Sequence, residues 1–207
     1  MFNRKPLIVF EGIEASGKST SLQKAINYLK KNKIKYIAFR EPGGTKFSED
    51  LRSLILNKKS KLNNKTDLFL LMASRSENID KILKKNFKNK VILIDRFVDS
   101  TIAYQHYGMG LDKDLILKMN NFLLGNLKPN FTFLSFVNNK NMKKRLKLRK
   151  NTNKYDNFKY KFYNNVQKGF LKIANKNKSK YLILDSNKDS LKIIEDKLIN
   201  KMKKILK

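Results

Sequence analysis

At 207 residues the chain is long enough for one α/β domain with a full core. It has no cysteine, which excludes a disulfide framework, thiolate chemistry and a Cys-ligated metal. Lysine and arginine number 47 against 17 acids, a net charge of +30, but only seven are arginine and the lysines are scattered over nearly every helical stretch, so the charge reads as solvated faces and not as the single stripe of a nucleic-acid reader. Leu7, Ile8, Val9 and Phe10 form the first apolar run, a buried strand, and Leu22, Ala25, Ile26 and Leu29 recur behind it at helical spacing. The turn between them, residues 12–19, fits G-x-x-x-x-G-K-[ST], in which glycines let backbone N–H groups turn inward at a helix N-terminus to cradle phosphate. Gly12, Ile13, Glu14, Ala15, Ser16, Gly17, Lys18, Ser19 and Thr20 are therefore candidates for holding ATP. Lys18 would lie along the β- and γ-phosphates and the Ser19 hydroxyl would ligate Mg²⁺.

A second strand is expected at 34–39. It runs into Arg40-Glu41-Pro42-Gly43-Gly44-Thr45, which proline and two glycines force out of regular structure. A short helix follows at 48–56 and a longer one at 66–86, capped by Thr66 or Asp67. Residues 91–94 are a fully apolar strand ending on Asp95 and Arg96. Helices are expected at 98–106 and 112–124, a fourth strand at 131–137 and a fifth at 181–185. Between those two strands lie a basic segment, 140–161, and a helix at 159–175; Leu191, Ile194, Leu198 and Met202 stripe a terminal helix. The alternation, free of repeats, low-complexity tracts and linkers, predicts a single domain over residues 1–207. Its fold class is α/β: a five-stranded parallel sheet with helices on both faces, the three-layer sandwich of P-loop NTPases.

Ligands of such sheets gather beyond the C-terminal ends of the strands. The phosphate loop, Arg40-Glu41 and Asp95-Arg96 each follow a strand, so they should converge on one cleft. Two arginines facing a triphosphate suit a second anionic substrate, each able to hold a phosphate bidentately. Asp95 is suited to hold Mg²⁺ through water or to orient Arg96.

These residues carry a resemblance. Phe10-Glu11-Gly12 with the phosphate loop, Arg40-Glu41-Pro42-Gly43-Gly44-Thr45, Ala73-Ser74-Arg75, and Asp95-Arg96-Phe97 followed by Asp99-Ser100 and Ala103-Tyr104-Gln105 together resemble bacterial thymidylate kinases, in the same order and spacing over essentially the whole chain. The resemblance implies a cytoplasmic phosphotransferase that moves the γ-phosphoryl group of ATP onto dTMP with Mg²⁺, and a homodimer. Carried over, Glu14 would contact the sugar 3′-OH or a magnesium-bound water, and Arg40 and Arg96 would hold the acceptor phosphate. Arg75 and Gln105 would bond the base edge with Ser100 and Thr101 alongside. Tyr104 would sit where a ribose 2′-OH projects. Leu71 stands where the family usually places an aromatic ring, so the base would meet an apolar side chain there, or Phe69 would compensate.

The loop carries Glu14-Ala15-Ser16 where some relatives have an arginine, which implies a cation on a mobile basic lid, 140–158. Arg149 is the first candidate and Arg145 the second, both catalytic in this reading together with Lys18 and Arg96. The lid usually ends Asp-Arg-x-Glu, whereas Asp156 is followed by Asn157, Phe158 and Lys159. His106, the one histidine, reads as a rim residue. No signal-like or membrane-length apolar segment is seen, and neither a membrane nor a specific nucleic acid is an expected partner. Three alternatives stay open from the residues alone: another nucleoside or nucleotide kinase, a basic NTP-dependent nucleic-acid-binding protein, and an NTP-binding regulator without turnover.

Overall fold

The computed structural model describes residues 4–148 and 153–207. Strand β1 (Leu7–Glu11) is buried at all five positions and needs cover on both faces. The other strands are β2 (Tyr36–Arg40), β3 (Val91–Asp95), β4 (Phe131–Phe136) and β5 (Tyr181–Asp185). They form one sheet in the order β2-β3-β1-β4-β5, every pair parallel, as the apolar runs predicted.

The helices in chain order are α1 (Lys18–Lys31), α2 (Lys46–Leu56), α3 (Asn64–Asn78) and a short α4 (Lys84–Asn86), joined to α3 by a π turn, Ile79–Leu83. Then come α5 (Val98–Thr101), which continues as a π-helix over Ile102–Gly108, α6 (Lys113–Leu124) and α7 (Asn139–Lys147). Last are α8 (Tyr160–Lys176) and α9 (Leu191–Leu206). Because strand side chains alternate, Ile8, Phe10, Leu93 and Phe133 face one way and pack on Ala25 and Leu29 of α1 and Leu198 of α9. Leu7, Val9, Ile92 and Ile94 face the other way, against Ile79, Leu83 and Phe97. Among the described residues no helix is long and apolar enough to cross a membrane.

Three elements differ from the sequence expectation. Helix α3 starts two residues early and is capped by Asn63, whose side chain accepts from the Thr66 N–H at 2.9 Å; neither Thr66 nor Asp67 is the cap. Asp67 is instead turned inward and 1% exposed. The helix expected at 98–106 is largely π-helical, so the consecutive residues Ile102, Ala103, Tyr104 and Gln105 are all buried, which an α-helix on a surface does not achieve. Its neighbour α8 comes very close: a Cβ on Gly169 would stand 2.5 Å from the Tyr107 ring, and one on Gly108 2.6 Å from the Phe162 ring. Finally, the basic segment after β4 is α7 plus a separate 3-10 turn, Lys154–Asn157, ahead of α8.

Candidate active site

The parallel register sets Arg40 beside Asp95 and Phe10 beside Asp95, so the loops after β1, β2 and β3 leave the sheet at one level. The phosphate loop wraps tightly there. Gly12 has φ +142°, and a Cβ on it would lie 2.5 Å from the Ser135 carbonyl oxygen and 2.7 Å from the Ser16 hydroxyl. Gly17, at φ +91°, precedes α1 with open space around it. The buried Ser16 hydroxyl has no hydrogen-bond partner among the described residues. A cradle that only glycine fits, at a helix N-terminus, with a hydroxyl left unpaired, suits an anionic ligand.

Two cavities meet at this loop. One, of about 260 Å³, lies beyond the strand ends and is lined by Arg40, Leu71, Arg75, Ser100, Thr101, Tyr104 and Gln105, among others. The other, of about 500 Å³, runs along residues 13–21 toward Arg145 and Ser186, and includes Thr20. Glu14, Lys18, Ser19 and Arg96 line both. The shared wall is therefore a cation-rich seam between two ligand-sized spaces.

Arg96 organises that seam. Its backbone is left-handed, with φ +67°, and its guanidinium donates to the Glu14 carboxylate at 2.8 Å, the Gly12 carbonyl at 3.0 Å and the Ser100 hydroxyl at 3.3 Å. It also stacks over the Tyr104 ring, 5.0 Å to the centroid, while the Tyr104 hydroxyl donates to the second Glu14 oxygen. Burial opposes its charge, but Tyr104, Glu14 and Asp95 outweigh that and push its pKa up, so Arg96 stays cationic. Lys18 pairs with Asp95. Burial and then the charge of Arg96 push the Lys18 ammonium down against the pull of Asp95, a state that added anionic oxygens would relieve. For Asp95, burial would raise the carboxyl, but Lys18 and Arg96 prevail and hold it below the usual range.

Deeper in, Arg75 is 3% exposed and donates from Nε to Glu41 at 2.8 Å and from Nη1 to Asn120, with the Phe97 ring 5.0 Å from its guanidinium carbon. Gln105 is 1% exposed and reaches the Met109 sulfur at 3.9 Å. Arg40 is half-exposed and bonded to Glu49 at 2.9 Å. The lining of the smaller cavity carries Lys18, Arg40, Arg52, Arg75 and Arg96 against Glu14, Glu41 and Asp95, a surplus of positive charge suited to an anion.

For a metal, the available donors are the Ser19 hydroxyl, which lines both cavities, and the ionised Asp95 carboxylate. Among the described residues no group of three or more His, Cys, Asp or Glu side chains gathers as a cage. Hard oxygen donors in so small a number fit a magnesium ion that keeps waters and takes substrate phosphates.

Comparisons with known proteins show the family. The family model described as thymidylate kinase matches residues 10–198. The chain belongs to the thymidylate kinase family. Its relatives include the thymidylate kinase of Kosmotoga olearia, 35% identical over 189 residues that make up 91% of each chain. That of Anaplasma phagocytophilum is 38% identical over 86% of this chain and 80% of its own. The crystal structure of thymidylate kinase from Ehrlichia chaffeensis superposes with a TM-score of 0.77 at 30% identity, over 96% of this chain and 98% of that one. Membership makes the chain a kinase, a phosphotransferase that draws on ATP.

Set against the thymidylate kinase reading of the sequence, most site residues do gather, but several expectations change. Phe69 is 58% exposed and does not line the cavity, so it does not compensate for Leu71, which does. Among the described residues, those that reach the cavity from the lid side are Asn153 and Tyr155, ahead of the run after Asp156. Asp156 itself caps the 3-10 turn by accepting from the Asn153 N–H at 2.8 Å. Arg145 lies along the loop cavity, donating to the Ala15 carbonyl at 3.1 Å and the Ser186 hydroxyl at 3.0 Å. Arg149 lies outside the described residues. His106 donates from Nδ1 to the Leu111 carbonyl at 2.8 Å and lines neither cavity.

Sequence reasoning also missed residues. Arg52 of α2 lines the cavity and donates to the Pro42 carbonyl at 2.8 Å; burial, then Arg40, bring its pKa down to about 10. Its one signal was rarity, an arginine in a lysine-rich chain. Glu11 sits under the Arg96 loop, accepting from the Phe97 N–H at 2.8 Å, the Ser100 N–H at 3.2 Å and the Ser100 hydroxyl. Burial, then Asp99, push its carboxyl up to about 7.

Proposed function

We propose that this protein transfers the γ-phosphoryl group of ATP to dTMP, giving dTDP and ADP, with Mg²⁺. The observation that carries the reading is the seam of Glu14, Lys18, Ser19 and Arg96 shared by the two cavities, which suits a donor phosphate and an acceptor phosphate meeting in line. ATP lies along residues 12–20 in the larger cavity, with Lys18 on its terminal phosphates. The acceptor occupies the smaller cavity, its phosphate toward Arg40, Arg52 and Arg96 and its base toward Leu71, Arg75 and Gln105. Ser100 and Thr101 line the acceptor, Tyr104 crowds the position of a 2′-hydroxyl, and Glu14 meets the sugar 3′-OH or a magnesium-bound water.

The bond between the γ-phosphorus and the bridging oxygen of ATP breaks as an acceptor phosphate oxygen bonds to the same phosphorus, and ADP leaves. That oxygen is already ionised near neutral pH, so no general base is required. Ser19 and, through water, Asp95 would hold Mg²⁺, which would supply charge neutralisation at the donor phosphates. The segment 140–158 acts as a basic lid that excludes water, with Arg149 and Arg145 as its cations. If Arg149 acts on the transferred group, Arg149→Ala lowers kcat by about 10²-fold with little change in KM, and an unchanged kcat removes it from the mechanism.

The chain is further proposed to act in the cytoplasm as a homodimer. Exposed apolar stripes on neighbouring helices, Phe69 and Ala73 on α3 and Leu115 and Phe122 on α6, support the second point. Sedimentation equilibrium returning the monomer mass would remove it.

The deciding assay is ADP release with Mg-ATP and dTMP, dUMP, dCMP, UMP or AMP as acceptor. A strong preference for dTMP is expected. Preference for another acceptor would keep the transfer chemistry and shift the base assignment, with Leu71 the first residue to exchange. No turnover with any acceptor, ATP still binding, would overturn the reading.

A further inference from the structure

Asp67 is a buried carboxylate whose role the sequence did not disclose. It stands one turn into α3, and its side chain is 2% exposed. Both of its oxygens are taken by the 3-10 turn that lies far along the chain: Lys154 Nζ donates to Oδ1 at 2.7 Å and the Tyr155 hydroxyl to Oδ2 at 2.6 Å. A carboxylate this deep is stable only when paired, so the two contacts act as one clamp.

The turn is itself stiff. Asn153 and Asp156 close a capping box around it, and the Tyr163 hydroxyl donates to the Tyr155 carbonyl. What the clamp holds in place is the Tyr155 ring. That ring is 7% exposed, lines the smaller cavity, and stands edge-on to Tyr104 with centroids 5.6 Å apart. Tyr104 in turn carries Glu14 and Arg96. Asp67, Leu71 and Arg75 follow one another at four-residue steps, so the helix stripe that lines the cavity with Leu71 and Arg75 also anchors the turn that covers it. Burial and the charge of Asp67 push the Tyr155 phenol well above its ordinary value, which keeps it a donor.

We propose that Asp67 is a positioning residue for the acceptor: it latches Lys154 and Tyr155 onto α3 so that Tyr155 closes the cavity as the aromatic wall that Leu71 does not supply. The proposal rests on the acceptor occupying the smaller cavity. Its test is steady-state kinetics on the full chain for wild type, Asp67→Asn, Tyr155→Phe and the double variant, with dTMP and ATP varied separately. Asp67→Asn removes the charge that Lys154 and Tyr155 share and should raise the KM for dTMP by about tenfold, leaving the KM for ATP within about twofold. Tyr155→Phe keeps the ring but loses its tether and should give about a threefold rise that disappears in the Asp67→Asn background, because the two changes cut one contact. A general loss of structure would instead move both KM values together. Equal effects on both substrates, additive effects in the double variant, or no effect on dTMP would each overturn the latch while leaving the kinase assignment intact. Should the wild type fail to turn over dTMP, the functional reading falls, and hydrogen exchange decides the latch alone. Amides 153–163 should then exchange faster in Asp67→Asn than in wild type, and equal rates would overturn it.

Discussion

Replacing Arg96 with alanine is expected to lower kcat/KM for dTMP by about 10³-fold, the scale on which an arginine at a transferred phosphoryl group acts. With Lys18 the side chain lines both cavities, and three hydrogen bonds and the Tyr104 ring hold it on their shared wall. Its backbone conformation, φ +67°, is one that a non-glycine residue adopts only at a cost, roughly 1–2 kcal/mol, which the surrounding contacts must offset. That cost aims the guanidinium back over the phosphate loop. Arg96→Lys restores the charge but not the fork, so it should recover no more than a small part of the loss. Initial rates with dTMP at saturating Mg-ATP check this, and a value within tenfold of wild type for Arg96→Ala would remove Arg96 from the transfer step.

The second large effect concerns folding. Glu41→Ala should lower the free energy of unfolding by about 3–5 kcal/mol, because it strands the Arg75 guanidinium in a site where it is 3% exposed. Glu41 is 4% exposed, and burial pushes its carboxyl up, with Arg75 and Asn78 only partly offsetting that, so the pair is costly even when intact. Replacing both residues by leucine should therefore recover most of the stability, as apolar substitutes for a buried ion pair often do. It should not recover dTMP turnover, since Arg75 lines the smaller cavity, where the acceptor is proposed to sit. Chemical denaturation beside the kinase assay separates the two outcomes. If Glu41→Ala costs less than about 1 kcal/mol, the pair is open to water and the burial argument fails.

Much of this site was legible because it depends on local chemistry. Short apolar runs bounded by glycine, proline and charge are too brief for helices and read as buried strands, and once they are parallel their C-terminal ends share an edge. That alone brings Lys18, Arg40, Asp95 and Arg96 together. What could not be read were partners distant in sequence. An aspartate near a helix start ordinarily serves the helix N-terminus, so Asp67 stands with Thr66 as a cap candidate, and nothing in its neighbourhood points to Tyr155, 88 residues away. Arg52 was hidden for a similar reason, since the α2 pattern names its buried face but not the cavity beside it. Phe69 illustrates the reverse error: an aromatic near the right position, on the wrong side of its helix.

The π-helix at Ile102–Gly108 has a consequence for how this pocket can change over time. One turn bonded i to i+5 accommodates a residue more than the α-helical ladder, and within it Tyr104 and Gln105, adjacent in sequence, both border the smaller cavity. Losing a single codon there would restore α-helical phase and turn Tyr104 and Gln105 relative to α8, whose Phe162 and Phe170 pack on the Tyr104 ring. The shape of this cavity is thus written partly in the length of a helix, and a one-residue deletion would change it while every strand stayed in place.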